Sequence, residues 1–368
     1  MSAFKYLLWP LSMLYGAVVR LRNYLYDTSF FGSASFNIPI IAIGNLSTGG
    51  TGKTMAVSYL IALLSQQYPI GVLSRGYGRR TSGYRNVTVG DSYHDVGDEP
   101  KLLSLKYPYV PIAVHEQRIL GIPSMYGQFP FLSAIVLDDA FQHRSVKPHI
   151  SILLTNYDTP YWEDSLLPMG NLREQNKGAA RANIIIINKC PSNITRTMME
   201  KIVQRIQPNS SQKIFFSGLQ YGNAYNIRQV EDTLVIDKNT AVLLITGIAE
   251  PLSLVRHLQQ KTENLYWQRY SDHHKFSKDE IDHLIQYYRA ITLKNKYIIT
   301  TEKDAVRLSE HLSNFVAENI KIFAIPVQMK FIPYKEDFDQ FIKDYFAYYY
   351  PEPLEEEDYE EITTSSSE

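Results

Sequence analysis

The sequence contains a single cysteine among its 368 residues, so it can form neither an intramolecular disulfide nor a cysteine-rich metal site. Cys190 is expected to be a buried apolar residue, and the chain fits a reducing compartment. An excess of positive charge is also missing, because 37 lysines and arginines accompany 38 acidic residues and the formal net charge is -1. This balance gives no electrostatic case for nucleic-acid binding, so any affinity for phosphate must be local.

The apolar run near the N-terminus is too short to span a bilayer, since a spanning helix needs about 20 apolar residues. The run extends from Tyr6 to Val19 and is followed by Arg20 and Arg22. Its cations come after the apolar residues and no small-residue cleavage site follows, which argues against a signal peptide. Residues 1–26 are therefore predicted to form a helix that lies in the membrane interface, with Trp9 at headgroup level. The alternative is a helix packed on the domain core.

The composition is that of a globular protein, with 45% hydrophobic and 20% charged residues. Short β-rich apolar runs alternate with helix-like segments along the first half of the chain. This alternation predicts an α/β fold in which helices cover both faces of a mostly parallel sheet. The runs are Ile38 to Ile43, Ile70 to Leu73, Val110 to Val114, Ala134 to Leu137, Ile150 to Leu154 and Ile184 to Ile187.

A second series of apolar runs predicts a smaller C-terminal α/β unit. Its strands are expected at Lys213 to Phe216, Ala241 to Ile245, Tyr297 to Thr300 and Lys321 to Ile325. Turn residues place the boundary at about residue 210. The expected organisation is an N-terminal helix in residues 1–26, a main domain in 27–210, the smaller unit in 211–350 and a disordered acidic tail in 351–368.

A glycine-rich loop lies between the first predicted strand and a helix-like stretch from Met55 to Leu64. It matches the P-loop pattern G-x-x-x-x-G-K-T with the residues Ser47, Thr48, Gly49, Gly50, Thr51, Gly52, Lys53 and Thr54, except that Ser47 stands at the first glycine position. Inward-turned N–H groups and the helix N-terminus would bind phosphate oxygens. Lys53 would reach the β- and γ-phosphates, and the Thr54 hydroxyl would ligate Mg²⁺. The loop predicts binding of a nucleoside triphosphate, with a chance Gly-Lys-Thr turn as the alternative.

Two adjacent carboxylates follow the predicted central strand Ala134 to Leu137. Asp138 and Asp139 would lie at the carboxyl end of that strand, where open α/β sheets bind ligands. A P-loop enzyme needs an acidic residue at such a position to hold Mg²⁺. The pair therefore predicts a metal site, and the alternative is that an aspartate caps the next helix.

Two further polar spots are ambiguous from spacing alone. Asp98 and Glu99 precede Pro100 in what could be an ordinary helix start with Asp98 as the N-cap. His273 and His274, beside an aspartate, could be metal ligands, an acid/base unit or surface residues. The residues themselves leave these alternatives open.

Further sequence blocks accompany the P-loop in a fixed order. They are Gly44-Asn45, Ser74 to Arg79, Gly97 to Pro100, Asp138 to His143, Leu167 to Glu174, Asp272 to His274 and Thr301 to Asp304. Over nearly the whole ordered chain, these blocks resemble the tetraacyldisaccharide 4'-kinase family, the lipid A 4'-kinases of Gram-negative bacteria. Two departures are visible. Ala140 replaces a usual glycine, and Thr246 to Pro251 matches the family's glycine-rich segment only loosely.

The resemblance implies transfer of the γ-phosphoryl group of ATP, with Mg²⁺, to the 4'-hydroxyl of a tetraacylated glucosamine disaccharide 1-phosphate. It also implies that Asp98 accepts the hydroxyl proton and pairs with a histidine of the 272–274 motif, which we take to be His273. Lys53 would act on the transferred phosphate.

The same resemblance assigns Mg²⁺ to Glu99 and Asp138, together with the P-loop hydroxyl of Thr54. Asp139 would lie close by, and Gln142 could orient these ligands. Contacts to phosphates or to the acceptor are expected from Arg75, Arg79, Arg118, Arg173 and Glu174, with no individual allocation.

An acceptor with four acyl chains cannot diffuse freely in water, because each buried CH₂ contributes about 0.8 kcal/mol. The resemblance therefore implies a peripheral protein that meets its lipid at the cytoplasmic face of the bacterial inner membrane. Neither nucleic acid nor an obligate protein partner is expected.

Two rival functions are weighed against the kinase. Asn188-Lys189 after a strand is similar to a guanine-recognition motif and suggests a GTPase-like metallochaperone, but Pro191 stands where the motif needs an acid. The other rival is a non-catalytic membrane adaptor that binds ATP as a structural ligand. In that case Asp98 would be a helix cap and His273 a surface residue.

Overall fold

The computed structural model of the protein describes residues 7–349, and the tail expected at 351–368 lies outside this range. The strands are β1 (Ile40–Asn45), β2 (Ile70–Ser74), β3 (Arg85–Asn86), β4 (Ile112–Val114), β5 (Ala134–Leu137), β6 (Ile150–Asn156), β7 (Ile184–Asn188), β8 (Lys213–Tyr221), β9 (Ala224–Asn226), β10 (Gln229–Leu234), β11 (Ala241–Thr246), β12 (Asn264–Arg269), β13 (Lys296–Thr301), β14 (Ile322–Ile325) and β15 (Val327–Ile332). The helices are α1 (Trp9–Asp27), α2 (Lys53–Leu64), α3 (Tyr93–Val96), α4 (Asp98–Lys106), α5 (Arg118–Gln128), α6 (Arg196–Ile206), α7 (Leu252–Gln259), α8 (Lys278–Ala290), α9 (Glu302–Leu308), α10 (Leu312–Ala317) and α11 (Phe338–Tyr349).

The larger sheet has the strand order β15-β8-β7-β6-β1-β5-β2-β4-β3 within the described residues. Its strands from β8 to β4 run parallel, and the edge strands β15 and β3 pair antiparallel with their neighbours. Every residue of β1, β5, β6 and β7 is buried, as expected for apolar strands that helices cover on both faces. This architecture brings the carboxyl ends of β1, β2 and β5 to one edge.

A second sheet has the order β10-β9-β14-β13-β11-β12. Strands β11 to β14 are parallel, and β9 pairs antiparallel with both β14 and β10. The helix α8 carries an N-terminal capping box formed by Ser277 and Glu280, and it buries Ile281, Leu284 and Ile285 against this sheet's core. The prediction of a second, smaller α/β unit is consistent with this sheet.

The expected division of the chain near residue 210 was wrong in one respect. The segment Lys213 to Phe216, expected in the smaller unit, belongs to β8 and pairs with β7 in the larger sheet. The chain passes to the second sheet after β8 and returns with β15, which pairs antiparallel along β8. The helix α11 then packs Phe338, Ile342 and Phe346 into the core of the larger sheet. Strands β3, β9, β10, β12 and β15 were not predicted.

The N-terminal helix α1 is longer than the apolar run that predicts it, and Pro10 lies in its first turn, where its missing N–H costs nothing. Its buried residues are Ser12 and Gly16. Ser12 Oγ donates to Leu166 O at 2.9 Å, and a Cβ on Gly16 would lie 2.7 Å from Leu166 Cδ1, so a larger residue there would displace the leucine side chain. In residues 7–349, none of the helices has the length and apolar character needed to cross a membrane.

Candidate active site

A cavity of about 840 Å³ lies between the P-loop edge of the larger sheet and the loops of the second unit. From the first side it is lined by the P-loop residues Thr48 to Thr54 and by the acidic pair that follows β5. From the second side it is lined by Asp272, His273 and the start of α9. The sequence blocks of the first unit and those of the second unit therefore line the same cavity.

The P-loop has the backbone that its glycines allow. Gly49 and Gly52 have φ values of 109° and 93°, a region that favours glycine, and a Cβ on Gly52 would lie 2.2 Å from Asn188 Nδ2. Asn188 Nδ2 donates to Thr51 O at 2.9 Å, and Lys189 Nζ donates to the carbonyl of Gly50. The side chains of Asn188 and Lys189 thus fix the backbone of the P-loop.

Ser47, at the position of the first P-loop glycine, is paired with Leu172 in an isolated β-bridge and is not among the residues that line the cavity. Thr48 N next to it donates to Asn171 O at 2.7 Å. Ser47 therefore stands at the point where the P-loop is bound to the segment 167–174.

Lys53 is the first residue of α2 and its ammonium group points at the acidic pair. Its Nζ lies 3.4 Å from Asp139 Oδ1 and donates to Asn45 Oδ1 at 3.4 Å. Burial would raise the pKa of Asp139, but Lys53 and Arg173 outweigh it and lower the pKa below its usual value. Asp139 is thus ionised and holds two cations in the cavity.

Asp138 is almost completely buried at the end of β5. Ser74 Oγ donates to its Oδ2 at 3.2 Å, whereas Oδ1 has no hydrogen-bond partner among the described residues. Burial and the negative charges of Glu99 and Asp139 raise the pKa of Asp138 to about 7. The charges of Lys53 and Arg118 lower this pKa but do not offset the rise.

Glu99 approaches the P-loop from α4. Thr54 Oγ1 donates to Glu99 Oε1 at 2.9 Å, and Lys303 Nζ forms an ion pair with the same oxygen. Burial raises the pKa of Glu99, but the charge of Lys303 more than offsets this and lowers it. The hydroxyl of Thr54 and the carboxylates of Glu99 and Asp138 all line the cavity.

These donors fit Mg²⁺, which prefers oxygen ligands and commonly keeps waters and substrate phosphates beside one or two carboxylates. The unpartnered Oδ1 and raised pKa of Asp138 indicate a local excess of negative charge that a divalent cation would neutralise. No cluster of three histidine, cysteine or acidic side chains suited to a metal occurs in residues 7–349. A site completed by phosphate oxygens does not need one.

Asp98 and His273 meet although 175 positions separate them. His273 Nδ1 lies 2.8 Å from Asp98 Oδ2, and the N–H of Glu99 donates to Asp98 Oδ1 at 2.9 Å. Burial would raise the pKa of Asp98, but the hydrogen bond from His273 and the charge of Arg307 lower it well below its usual range. The hydrogen bond to Asp98 in turn raises the pKa of His273. His274 instead contacts Glu280 Oε1 at 3.0 Å.

Two cations of the second unit also contact this site, although neither of them was given a role from the sequence. Lys303 pairs with Glu99, and the Arg307 guanidinium is 1% exposed and donates through Nε to Asp98 Oδ2 at 3.0 Å. Lys303 belongs to a recognised block, but Arg307 lies one helical turn beyond it. Their position on one face of α9, four residues apart, is the signal that could have indicated a shared target.

The four arginines expected to contact phosphate divide into two pairs. Arg75 is exposed and lines the cavity, as does the half-buried Arg173, which donates to Asp139 at 3.1 Å. Arg118 is fully buried and donates to His115 O and Asp138 O, both at 2.6 Å. Arg79 donates to Gly83 O at 2.6 Å and pairs with Glu116. Neither Arg79 nor Arg118 is among the side chains that line the cavity, so the structure gives no support to their expected contact with phosphate.

Glu174 is 2% exposed and joins several parts of the site. It accepts hydrogen bonds from Arg181 Nη2 at 2.7 and 2.8 Å, from Asn23 Nδ2 at 3.1 Å and from Gln142 Nε2 at 3.2 Å. Gln142 Nε2 also donates to Asn45 O at 2.7 Å. Glu174 and Gln142 therefore connect α1 to the P-loop strand.

The comparisons with known proteins agree with this geometry. A family model described as Tetraacyldisaccharide-1-P 4'-kinase matches residues 4–347. The chain is 40% identical over 352 residues to the tetraacyldisaccharide 4'-kinase of Bacteroides thetaiotaomicron, with 92% of each chain covered. This chain belongs to the tetraacyldisaccharide 4'-kinase family.

Other members of the tetraacyldisaccharide 4'-kinase family match over similar lengths. The protein of Flavobacterium johnsoniae is 38% identical over 345 residues, which covers 94% of this chain and 98% of the relative. A crystal structure of LpxK from Aquifex aeolicus in complex with ATP has 26% identity and a TM-score of 0.71, covering 93% of this chain and 99% of that chain.

Membership of the tetraacyldisaccharide 4'-kinase family confirms the resemblance, the kinase class and the P-loop α/β fold expected from the sequence. It gives no support to the metallochaperone or the adaptor. The sequence supplies the reason against the first, because Pro191 stands where the guanine-recognition motif needs an acid.

Proposed function

We propose that this chain transfers the γ-phosphoryl group of ATP to the 4'-hydroxyl of a tetraacylated glucosamine disaccharide 1-phosphate. The observation that carries the proposal is the shared cavity, which Lys53 of the P-loop and His273 of the Asp98–His273 pair both line. Phosphoryl transfer needs a cation at the transferred phosphate and an acceptor for the hydroxyl proton, both within reach of one substrate pose.

The triphosphate is held by the P-loop. Backbone N–H groups of Gly49, Gly50 and Gly52 and the N-terminus of α2 bind its oxygens, because these groups carry partial positive charge. Lys53 leaves Asp139 to contact the β- and γ-phosphates, which are stronger partners for its ammonium group.

Thr54, Glu99 and Asp138 would hold Mg²⁺ beside these phosphates, with Asp139 next to them. When bound there, Mg²⁺ neutralises charge on the phosphate oxygens. Lys303 pairs with Glu99 and adds a second positive charge from the opposite side of the cavity.

Asp98 takes the proton of the acceptor hydroxyl. As the 4'-oxygen attacks the γ-phosphorus, the bond from that phosphorus to the β–γ bridging oxygen breaks and ADP leaves. His273 orients the carboxylate through Oδ2, and Oδ1 keeps a lone pair for the proton because its partner is a single backbone N–H. The roles correspond to those expected from the sequence.

The 1-phosphate of the acceptor would be gripped by Arg75 and Arg173, the two arginines of the recognised blocks that line the cavity. Arg22 of α1 also lines it, and its Nη2 donates to Gln142 O at 2.8 Å. A cationic wall next to α1 suits an anionic lipid headgroup that enters from a membrane surface.

The helix α1 supports a peripheral location at the cytoplasmic face of the inner membrane. Its side chains Leu11, Leu14 and Val18 are 56%, 65% and 61% exposed. A stripe of this kind next to a lipid-substrate site fits a helix whose apolar face enters the acyl boundary. The alternative of packing on the domain is also present on the other side of the helix, where Ser12 and Gly16 are buried and Tyr15 Oη donates to Arg173 O at 2.8 Å.

The proposal is tested by incubating the purified chain with γ-labelled ATP, Mg²⁺ and the tetraacylated disaccharide 1-phosphate. Label should appear in a lipid product with one additional phosphate, at the 4'-position by mass spectrometry. The matched control is the same lipid already phosphorylated at the 4'-oxygen, which should take up no label. Equal labelling of both lipids, or of neither, would refute the proposed reaction.

A further inference from the structure

Arg307 has one of the most deeply buried charged side chains of the protein. Its guanidinium comes from α9 of the second unit and crosses to Asp98 of the first, where Nε donates to Oδ2 at 3.0 Å and Nη2 lies 2.9 Å from the same oxygen. Arg307 is not among the residues that line the cavity. Asp98 does not line it either, but its partner His273 does, and Arg307 is 1% exposed against 6% for Asp98. Any effect of Arg307 on the reaction is therefore expected to act through Asp98 and its other neighbours.

The other edge of the guanidinium is fixed by the second unit itself. Nη1 donates to Gly247 O at 2.8 Å and to Asp304 Oδ1 at 2.9 Å. Asp304 is completely buried, and its Oδ2 accepts from Gly247 N at 3.0 Å and from Thr301 Oγ1 at 2.7 Å. The guanidinium is thus held on a rigid frame of backbone and carboxylate before it reaches Asp98.

The same frame holds the histidine loop. His273 N donates to Gly247 O at 3.2 Å, so this carbonyl accepts from both His273 and Arg307. His273 has a φ of 55°, a left-handed conformation that costs energy for a residue with a Cβ and persists only where its surroundings fix it. Arg307 therefore contacts the Asp98 carboxylate directly and the His273 backbone through one shared carbonyl.

We propose that Arg307 is a positioning residue for phosphoryl transfer. It fixes the Asp98 carboxylate and the His273 loop in the geometry that proton acceptance needs, without contact to ATP or to the acceptor. This inference rests on the proposed role of Asp98 as the proton acceptor. A planar guanidinium can bind a carboxylate at each edge and a carbonyl between them, whereas an ammonium group presents one compact charge.

The test replaces Arg307 by methionine and by lysine and measures kcat, the KM for ATP and the affinity for ATP without acceptor. We expect Arg307→Met to lower kcat on the order of 10²-fold, because a misplaced proton acceptor costs about this much. The affinity for ATP should stay within about twofold, since the residue acts through Asp98. Arg307→Lys should recover part of kcat, because it restores the charge but not the fork.

A matched control removes another contact between the two units. Glu310 Oε2 lies 3.0 Å from His94 Nε2 and its Oε1 accepts from Ser92 Oγ at 3.0 Å, and none of these residues lines the cavity. Glu310→Gln should keep kcat within about twofold of the parent. A loss equal to that of Arg307→Met would show a general effect of unit docking and overturn the positioning role.

Thermal unfolding identifies any variant that fails to fold. If Arg307→Met does not fold, the kcat of Arg307→Lys is compared with that of Glu310→Gln to test the positioning role. A second measurement adds Arg307→Met, or Arg307→Lys in its place, to Asp98→Asn. Because the positioning residue acts through Asp98, the second change should lower the residual rate by less than about twofold. If the Arg307 change lowers the rate of Asp98→Asn by as large a factor as it lowers the rate of the parent, the proposal is contradicted.

The two proposals fail in different ways. An Asp98→Asn variant that keeps the parent rate would remove Asp98 as the proton acceptor and with it the proposed mechanism. An inactive Asp98→Asn beside a fully active Arg307→Met would remove the role of Arg307 alone.

Discussion

His273 Nδ1 lies 2.8 Å from Asp98 Oδ2, and this contact joins a loop of the second sheet's unit to the first residue of a helix that borders the larger sheet. Gly97, with a φ of 94°, precedes Asp98, and a Cβ there would lie 3.2 Å from Gly76 Cα. The turn that aims Asp98 at His273 therefore depends on two closely packed glycines. The site is complete only where the two units meet.

Replacing Lys53 by alanine should lower the rate of phosphoryl transfer by at least about 10²-fold, because it removes the side-chain cation nearest the transferred phosphate. The steady-state rate with saturating ATP measures this loss. Lys213, which pairs with Glu336 away from the cavity, supplies the matched control, and Lys213→Ala should keep the parent rate. Near-normal turnover of Lys53→Ala would remove the P-loop assignment.

Replacing Asp138 by asparagine should raise the Mg²⁺ concentration for half-maximal activity by roughly tenfold or more, because a charged oxygen ligand is lost. The shape of the side chain and the hydrogen bond from Ser74 are kept. Titration of activity with Mg²⁺ after removal of the metal with a chelator measures the shift. Asp91→Asn is the control, since Asp91 pairs with Arg85 outside the cavity. An unchanged titration would place the metal elsewhere.

Replacing Leu11, Leu14 and Val18 together by serine should weaken binding to anionic vesicles by at least about tenfold, because full burial of even one such side chain contributes roughly 1.5–3 kcal/mol. Co-sedimentation with vesicles measures the change. The substitutions spare Ser12 and Gly16, which pack α1 on the protein. The control is Val230→Ser with Val235→Ser, two exposed valines away from α1. Equal vesicle binding by both variants and the parent would show that α1 is not the membrane-binding element.

Acid should destabilise the protein through His143. Burial, with the charges of Arg118 and Arg75, lowers the pKa of His143 to about 4, whereas an unfolded chain has a histidine pKa of about 6.5. Between these values the unfolded state binds a proton that the folded state does not. The free energy of unfolding therefore falls as the pH is lowered from about 6.5 to 4, by up to about 3 kcal/mol.

Urea denaturation at several pH values measures this dependence. His143→Gln should lose less stability between pH 7 and 5 than the parent, because its side chain does not titrate. His283→Gln, at an exposed histidine of α8, should behave as the parent does. Identical pH dependence for the parent and His143→Gln would contradict the assignment.

Local order along the chain explains how much of the fold was predictable. The strand β1, the P-loop and α2 follow one another within 25 residues of sequence, so the local sequence pattern is enough to predict all three. Pairing of β15 with β8 joins segments more than 100 positions apart and has no local signal. This return of the chain to the larger sheet is the reason why the expected boundary near residue 210 failed.

The site shows the same division between local and distant information. The P-loop residues and the acidic pair were predictable because each follows the end of a predicted strand. The difference between the exposed Arg75 and the buried Arg118 was not, because the sequence does not show which arginine will bind a neighbouring carbonyl. Arg307 was missed because its target, Asp98, lies 209 positions away. Long-range ion pairs of this kind depend on how the two units dock.

The Asp98–His273 pair gives the most direct test of the account. The rate of 4'-phosphate formation from ATP is measured for the parent, Asp98→Asn, His273→Ala and the double variant. If the two residues act as one unit, each single change lowers the rate strongly and the double variant is little slower than the slower single variant. Losses that multiply in the double variant would contradict the account, because they would assign the two residues independent roles.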